Sequence, residues 1–398
     1  MRLLLSTLLV AMGGCAGTPG SPPEQTITPS ASCTATATCG ATTTHALAIT
    51  VPGPMRELTS LQLSQQMSPA WNLGNSLDAA PSETSWGNPP VSQRLLDAVK
   101  AAGFKTVRLA VSWNQHADAD GNIDPAWMAR VTEVVGYARK AGFYVVLNTH
   151  HEESWLIPTY AYQARANARL AKLWTQIADH FKDYDDYLLF AGTNEVMVPG
   201  DYGLPTAEYQ SVQNGFNQVF VNAVRATGGN NARRHLVVQG FNTNIDSTCK
   251  GFIKPTDPAA NRLFLEVHFY DPYNFAINEK SKIWQWGAKA TDPAATEAWA
   301  NEANVDAQFQ KIKSRFVDAG TPVLLGEYAA MLKSEYDPAG TYRTDWARYV
   351  TRSAYQHGIV PAWWDPGYGS NHASGLFDRS NGAQYFPDLV KAIVDSAR

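Results

Sequence analysis

Short apolar, β-rich runs alternate with amphipathic helical stretches through most of the chain. This alternation constrains the fold more than any other feature. The runs are Ala70–Leu73, Thr106–Val111, Tyr144–Asn148, Tyr187–Ala191, His235–Val238, Leu263–Val267, Pro322–Leu325 and Ile359–Trp363. Helical patterns lie between them over Pro125–Ala141, Gln163–Lys182, Thr206–Thr227, Asn304–Ala319 and Asp345–Gln356, with a last one at Pro387–Ser396. Gly142 and the Gly228-Gly229 pair supply helix stops. An irregular, Trp-containing insertion follows the sixth strand. Strands separated by helices pair in parallel, buried on both faces. Eight of them over residues 56–398, without a linker or internal repeat, predict an α/β fold: one closed (β/α)8 barrel with extended loops.

The ends of the chain read differently. Met1-Arg2, the apolar run Leu3 to Met12 and the small residues after it have the layout of an export signal over residues 1–15. The run is too short to span a bilayer, and no later apolar stretch is long enough to do so. Gly14-Cys15 resembles a bacterial lipoprotein box with Met12 where Leu is usual, so lipidation of Cys15 and ordinary cleavage nearby both stay open. Residues 16–55 are rich in Thr, Ser, Pro, Ala and Gly, the composition of a stalk that buries no core. Cys33 and Cys39 within it are close enough in sequence to form a disulfide loop after export, which leaves Cys249 as a buried free thiol. Hydrophobic residues make up 44% of the chain, which excludes a disordered protein. With 32 basic against 36 acidic side chains there is no basic excess for nucleic acid. A monomer is expected.

Active sites of such barrels sit at the C-terminal ends of the strands. Polar groups recur there: Arg108 inside the second strand, His150 and His151 after the third, Asn194 and Glu195 after the fourth, His268 and Tyr270 after the sixth, Glu327 after the seventh, and Trp364 at the eighth. A charge buried in a strand needs a partner, and Glu327 is a candidate for Arg108. Two carboxyl groups facing each other across a barrel mouth suit glycosidic bond cleavage. One donates a proton to the leaving oxygen and the other, ionised, attacks the anomeric carbon. Arg108 would keep Glu327 ionised, while burial and the neighbouring anion would keep Glu195 protonated, with His268 tuning that proton.

At these residues the chain resembles glycoside hydrolase family 5, in the clan of retaining barrels. The carrying strings are Trp71-Asn-Leu-Gly-Asn-Ser-Leu-Asp78, Glu83-Thr-Ser-Trp-Gly-Asn-Pro89, Val107-Arg-Leu-Ala-Val-Ser-Trp113, Leu147-Asn-Thr-His-His-Glu152, Trp364-Asp365 and Gly375-Leu-Phe-Asp-Arg379. Each is weak alone; their order and number are specific, and the first two look like those of bacterial endoglucanases. The resemblance implies that Glu195 is the acid/base, that Asn194 binds the sugar 2-hydroxyl, and that Glu327 is a nucleophile held by Arg108 and Tyr270. It implies further that His150, His151 and His268 complete a polar ring and that Trp364 is the sugar platform. It implies no metal and no cofactor. Val196 departs from the family pattern, where Pro commonly follows the acid/base Glu.

Sugar rings present apolar C–H faces on which aromatic rings stack. Trp71, Trp86, Trp113, Trp155, Trp284, Trp286 and Trp299 lie in or beside loops near the mouth, and about half are expected to be core. Trp71 and Trp86 are taken as substrate-binding, on their likeness to the cellulases. β-1,4-Glucan is the favoured substrate. Xyloglucan or mixed-linkage glucan is the alternative, with xylan and mannan behind. Two rivals lie further off: a metal-dependent sugar isomerase or hydrolase using His151, Glu195, His268 and Glu327, and a non-catalytic carbohydrate-binding barrel. Arg108 next to Glu327 would repel a cation, and a binding-only barrel would typically have lost one of the two glutamates.

Overall fold

The computed structural model describes residues 53–398. The expected export signal, the expected stalk up to residue 52, Cys15 and the Cys33–Cys39 pair lie outside the described residues. Eight strands form one closed sheet: β1 Ala70–Leu73, β2 Thr106–Leu109, β3 Tyr144–Asn148, β4 Leu188–Ala191, β5 Leu236–Asn244, β6 Leu263–Phe269, β7 Val323–Tyr328 and β8 Ile359–Asp365. Every neighbouring pair is parallel, and β1 pairs with β8 to close the barrel. The predicted barrel is therefore present. All eight predicted strands exist, and their starts agree within one residue of the reading.

The helices follow their local signals. Pro125–Lys140 starts on the Asp124 side chain, which accepts from the Ala126 N–H, and has Pro in its first turn. Gly142, at φ +82°, turns the chain back toward β3. Helices Tyr160–His180, Ala207–Ala226, Thr341–Gln356 and Pro387–Ser396 complete the outer ring together with Glu302–Ile312, which continues into a π-turn over Lys313–Val317. A further helix, Gln93–Ala102, was not anticipated. It is capped by Ser92 and buries Leu95, Leu96 and Val99.

Period-2 alternation along the strands builds two cores. Residues facing outward, such as Val145, Leu147, Phe190, Val238, Leu265 and Trp363, pack under the helices. Residues facing inward, such as Ala70, Tyr144, Val146, Leu189, Val237, Phe264, Leu324 and Val360, fill the barrel. Leu63 and Met67, just ahead of β1, join the inner cluster and floor it. Two residues further along the same inward register the chemistry changes from apolar to polar: Ala70 gives way to Asn72, Val146 to Asn148, Val237 to Gln239, and Phe264 to Glu266. The fully buried Arg108 joins this upper layer from β2. The layer is the base of the site.

Candidate active site

Arg108 is the hub of the polar layer. Its Nη1 donates to Asn72 Oδ1 at 2.9 Å and to Glu327 Oε1 at 3.0 Å, and its Nη2 donates to Asn194 Oδ1 at 2.7 Å. Its Nε lies 2.8 Å from Glu266 Oε1, with both side chains fully buried. The expected Arg108–Glu327 pair is thus present, but shared with a second carboxylate that the sequence reading missed. Asn72 is itself held by donating to the carbonyls of Gly326 and Ala362.

A bulge aims Glu327. Strands β6 and β7 pair in step up to Val267 and Leu325, and then His268 pairs with Glu327. Gly326 is the extra residue. Alternation from Leu324 points Gly326 inward, and the bulge turns the next residue, Glu327, inward beside it. A Cβ on Gly326 would stand 1.9 Å from Glu266 Oε1, so only glycine fits there.

The two expected carboxyl groups meet. A carboxylate oxygen of Glu195, one of Glu327 and a His268 ring nitrogen all lie within 4.8 Å of one another. Glu327 accepts from Arg108 on Oε1 and from the Tyr270 hydroxyl on Oε2 at 2.9 Å. Burial and the Glu327 charge push the Tyr270 hydroxyl well above its ordinary range, so it remains a donor. Burial also drives the Glu327 carboxyl upward, opposed by His268 and Arg108. Both of its oxygens receive donors, so the ionised form is the one that the site is built to hold. Glu195 Oε1 lies 2.7 Å from His268 Nδ1. Glu195 is the less buried of the two: its side chain keeps 21% exposure and that of Glu327 only 7%. Glu195 sits on the turn beyond β4, whereas Glu327 belongs to β7 itself.

The histidines differ in charge. His268 is opposed by burial, but Glu327, Glu195 and Glu266 outweigh it and raise its pKa to about 9. His150 is held well below its ordinary value by burial and by the positive charge of His151, Arg108 and His268. The neutral His150 ring stacks on Trp364 at 5.4 Å and 7°. Its Nε2 lies 3.9 Å from Glu327 Oε1. His151 is opposed by burial but raised to about 9 by Glu153, Asp78 and Glu327. Its ring meets Trp86 edge-on at 5.7 Å.

Trp364 is half-buried, its ring close over Gly74, where a Cβ would approach it to 2.7 Å. Trp86 is 40% exposed. Trp71 contradicts the reading. It has no exposed surface, its indole N–H donates to Asp365 Oδ2 at 2.8 Å, and Phe377 packs on it edge-on. It faces outward from β1 under the helices and cannot meet a sugar. Of the seven loop tryptophans, Trp71, Trp113, Trp155 and Trp286 are buried, Trp284 is intermediate, and Trp86 and Trp299 are exposed, close to the expected half. Cys249 is free as expected, but half-buried.

Several structural participants were not read from the sequence. Glu266 and Gln239 lie under the histidine and the glutamates. Glu152 accepts from the Trp113 and Asn114 N–H groups and from the Trp155 indole, tying the loops after β2 and β3 together. The signal for Glu266 was available: it lies two residues before His268, on the same inward face.

A carboxyl saturated with donors, a second and more open carboxyl beside it, and a half-exposed indole at the mouth of a (β/α)8 barrel define a glycoside hydrolase site. Comparison with known proteins agrees. The family described as Cellulase (glycosyl hydrolase family 5) matches residues 72–370. Endoglucanase A of Paenibacillus barcinonensis is 39% identical over 85% of this chain and 90% of its own length. The solved structure of a Bacteroides ovatus family 5 xyloglucanase in complex with a XXXG heptasaccharide is 40% identical, with a TM-score of 0.82 over 87% of this chain and 78% of that one. A broad-specificity endoglucanase from Bacteroides salanitronis is 37% identical, with a TM-score of 0.81 over 86% of this chain and 96% of that one. The chain belongs to glycosyl hydrolase family 5 and is an endo-acting, cellulase-type glycoside hydrolase.

Proposed function

We propose that this enzyme cleaves the β-1,4-glucan backbone by double displacement. Glu327 is the nucleophile and Glu195 the acid/base. The observation that carries this is the unequal treatment of the two carboxyl groups. Glu327 is held on one oxygen by Arg108 and on the other by Tyr270, while Glu195 faces one imidazole and solvent. In the first step a Glu327 oxygen attacks the anomeric carbon, the glycosidic C–O bond breaks, and Glu195 gives its proton to the leaving oxygen. In the second, Glu195 takes a proton from water as that water attacks the same carbon and the Glu327 ester bond breaks. Two inversions restore the β configuration. A gap within 4.8 Å fits the roughly 5–5.5 Å carboxyl spacing of retaining enzymes better than the wider spacing of inverting ones.

Asn194 spends its carbonyl oxygen on Arg108, which leaves its amide N–H groups for the sugar 2-hydroxyl. Trp364, backed by His150, offers a face for the sugar ring, and Trp86 with His151 extends the wall. Xyloglucan is a second reading, favoured by the likeness to the B. ovatus xyloglucanase. Residues 1–15 act as an export signal and 16–55 as a stalk, because a polymer must be met outside the cell; Cys15 is the residue that a lipid would occupy. Initial rates on soluble cellulose derivatives, mixed-linkage glucan, xyloglucan, xylan and mannan test the substrate, and the anomeric form of the first product tests the mechanism. Activity confined to xylan or mannan, or an α product, would refute the corresponding half.

A further inference from the structure

One carboxylate beneath the site has no role in that scheme. We propose that Glu266 is a positioning residue that keeps hydrogen on Nε2 of His268, so that Nδ1 alone exchanges a proton with Glu195. The inference rests on the reading of Glu195 as the acid/base.

Glu266 is held as an anion by its surroundings. Arg108 Nε lies 2.8 Å from its Oε1. Its Oε2 accepts from Gln239 Nε2 at 2.8 Å. Gln239 cannot be turned the other way, because its own oxygen accepts from the Thr193 backbone N–H at 3.1 Å and from the Thr193 hydroxyl at 2.9 Å. An ionised carboxylate only accepts. His268 Nε2 lies 3.3 Å from Glu266 Oε1 and must therefore carry hydrogen. Nδ1, 2.7 Å from Glu195 Oε1, is left as the one ring nitrogen able to give or take a proton. Gly326 supports the arrangement, because any side chain there would displace the Glu266 carboxylate.

The charges around His268 set the sign of the test. Glu195 faces it from the end of β4, Glu266 from β6, Glu327 from β7 and His150 from β3, while Arg108 on β2 and Tyr270 after β6 stand one contact away, against Glu266 and Glu327. Removing the Glu266 charge takes away one of three carboxylates that favour imidazolium. It also leaves Arg108 less neutralised, which favours ionisation of Glu195 and Glu327. Both changes move proton loss to lower pH.

The experiment compares pH profiles of kcat/KM for the wild type and Glu266→Gln, on a polysaccharide and on an aryl β-cellobioside with a good leaving group. Both limbs are expected to move to lower pH by about half a unit or more. The loss on the polysaccharide is expected to be about tenfold or more and smaller on the aryl glycoside. An unmoved profile with equal loss on both substrates overturns the proposal and leaves Glu266 a structural residue. If Glu266→Gln does not fold, ring-nitrogen NMR of His268 in the wild type decides the matter. Nδ1 is expected to lose its proton first, and a bare Nε2 overturns the proposal. Glu195→Gln on the same two substrates separates the layers. If it shows no leaving-group dependence, the reading of Glu195 falls; if it does while the Glu266→Gln profile stays in place, only this inference falls.

Discussion

Gly326 and Glu266 occupy one volume between them: a Cβ on the glycine would stand 1.9 Å from the carboxylate oxygen. The bulge that points Glu327 into the site depends on that missing side chain. Gly326→Ala is therefore expected to disturb Glu266 and Glu327 together. Activity should fall at least about a hundredfold, as for other misplacements of reacting groups, with destabilisation of about 1–3 kcal/mol from overpacking. Kinetics and thermal melts on the purified variant check both, and near-wild-type activity would contradict the account of the bulge.

The two glutamates proposed as catalytic should respond differently to the leaving group. Glu195→Gln should lose most activity on polysaccharide but keep much of it on activated aryl glycosides, which need little protonation. Glu327→Gln should lose both. Steady-state rates on the two substrate types distinguish them, and rescue of Glu327→Gln by the activated substrate would reverse the roles.

Trp71 and Trp364 should separate stability from binding. Trp71→Ala removes a fully buried ring and its hydrogen bond to Asp365, for a cost of about 3–5 kcal/mol. Trp364→Ala should leave the melting temperature near that of the wild type. It should lower kcat/KM by roughly tenfold or more if the half-buried ring is, as proposed, the sugar's stacking partner. Paired melts and kinetics decide the matter, and the reverse pattern would undo the assignment of the two rings.

Acid sensitivity should trace in part to His235. Its Nδ1 meets the Ser60 hydroxyl at 2.8 Å and its Nε2 faces Arg262 Nη1 at 2.9 Å, so that ring nitrogen must accept. Burial, with Arg262 and its neighbours, lowers its pKa to about 3. A group whose folded pKa is depressed contributes its stability above the unfolded value, near 6.5, and loses it as pH falls toward 3. The contribution is at most roughly 5 kcal/mol. Denaturant unfolding of the wild type and His235→Gln between pH 7 and 3 should show a shallower pH slope in the variant; equal slopes would exclude His235.

Apolar alternation was enough to read the barrel, because each strand of a parallel sheet must be buried on both faces and each helix must cover it. Eight runs of that kind have few other solutions, and the meeting of Glu195 and Glu327 followed from their position at strand ends. The helix Gln93–Ala102 was legible too: Leu95, Leu96 and Val99 share one face, and Ser92 and Gly103 mark its ends.

What the sequence determined by itself was the topology, the strand ends and the identity of the polar groups, all local in the chain. What the tertiary structure alone decided was which way each side chain faced. Trp71 and Trp364 stand on paired, neighbouring strands, yet one faces the helices and the other the cleft. Glu327 faces the site only through a one-residue slip at Gly326. Glu266 matters only because β2, β5 and β6 bring Arg108, Gln239 and His268 to it across separations of up to 158 residues (266 − 108). Such contacts are set by sheet closure and register, and no local stretch of sequence encodes them.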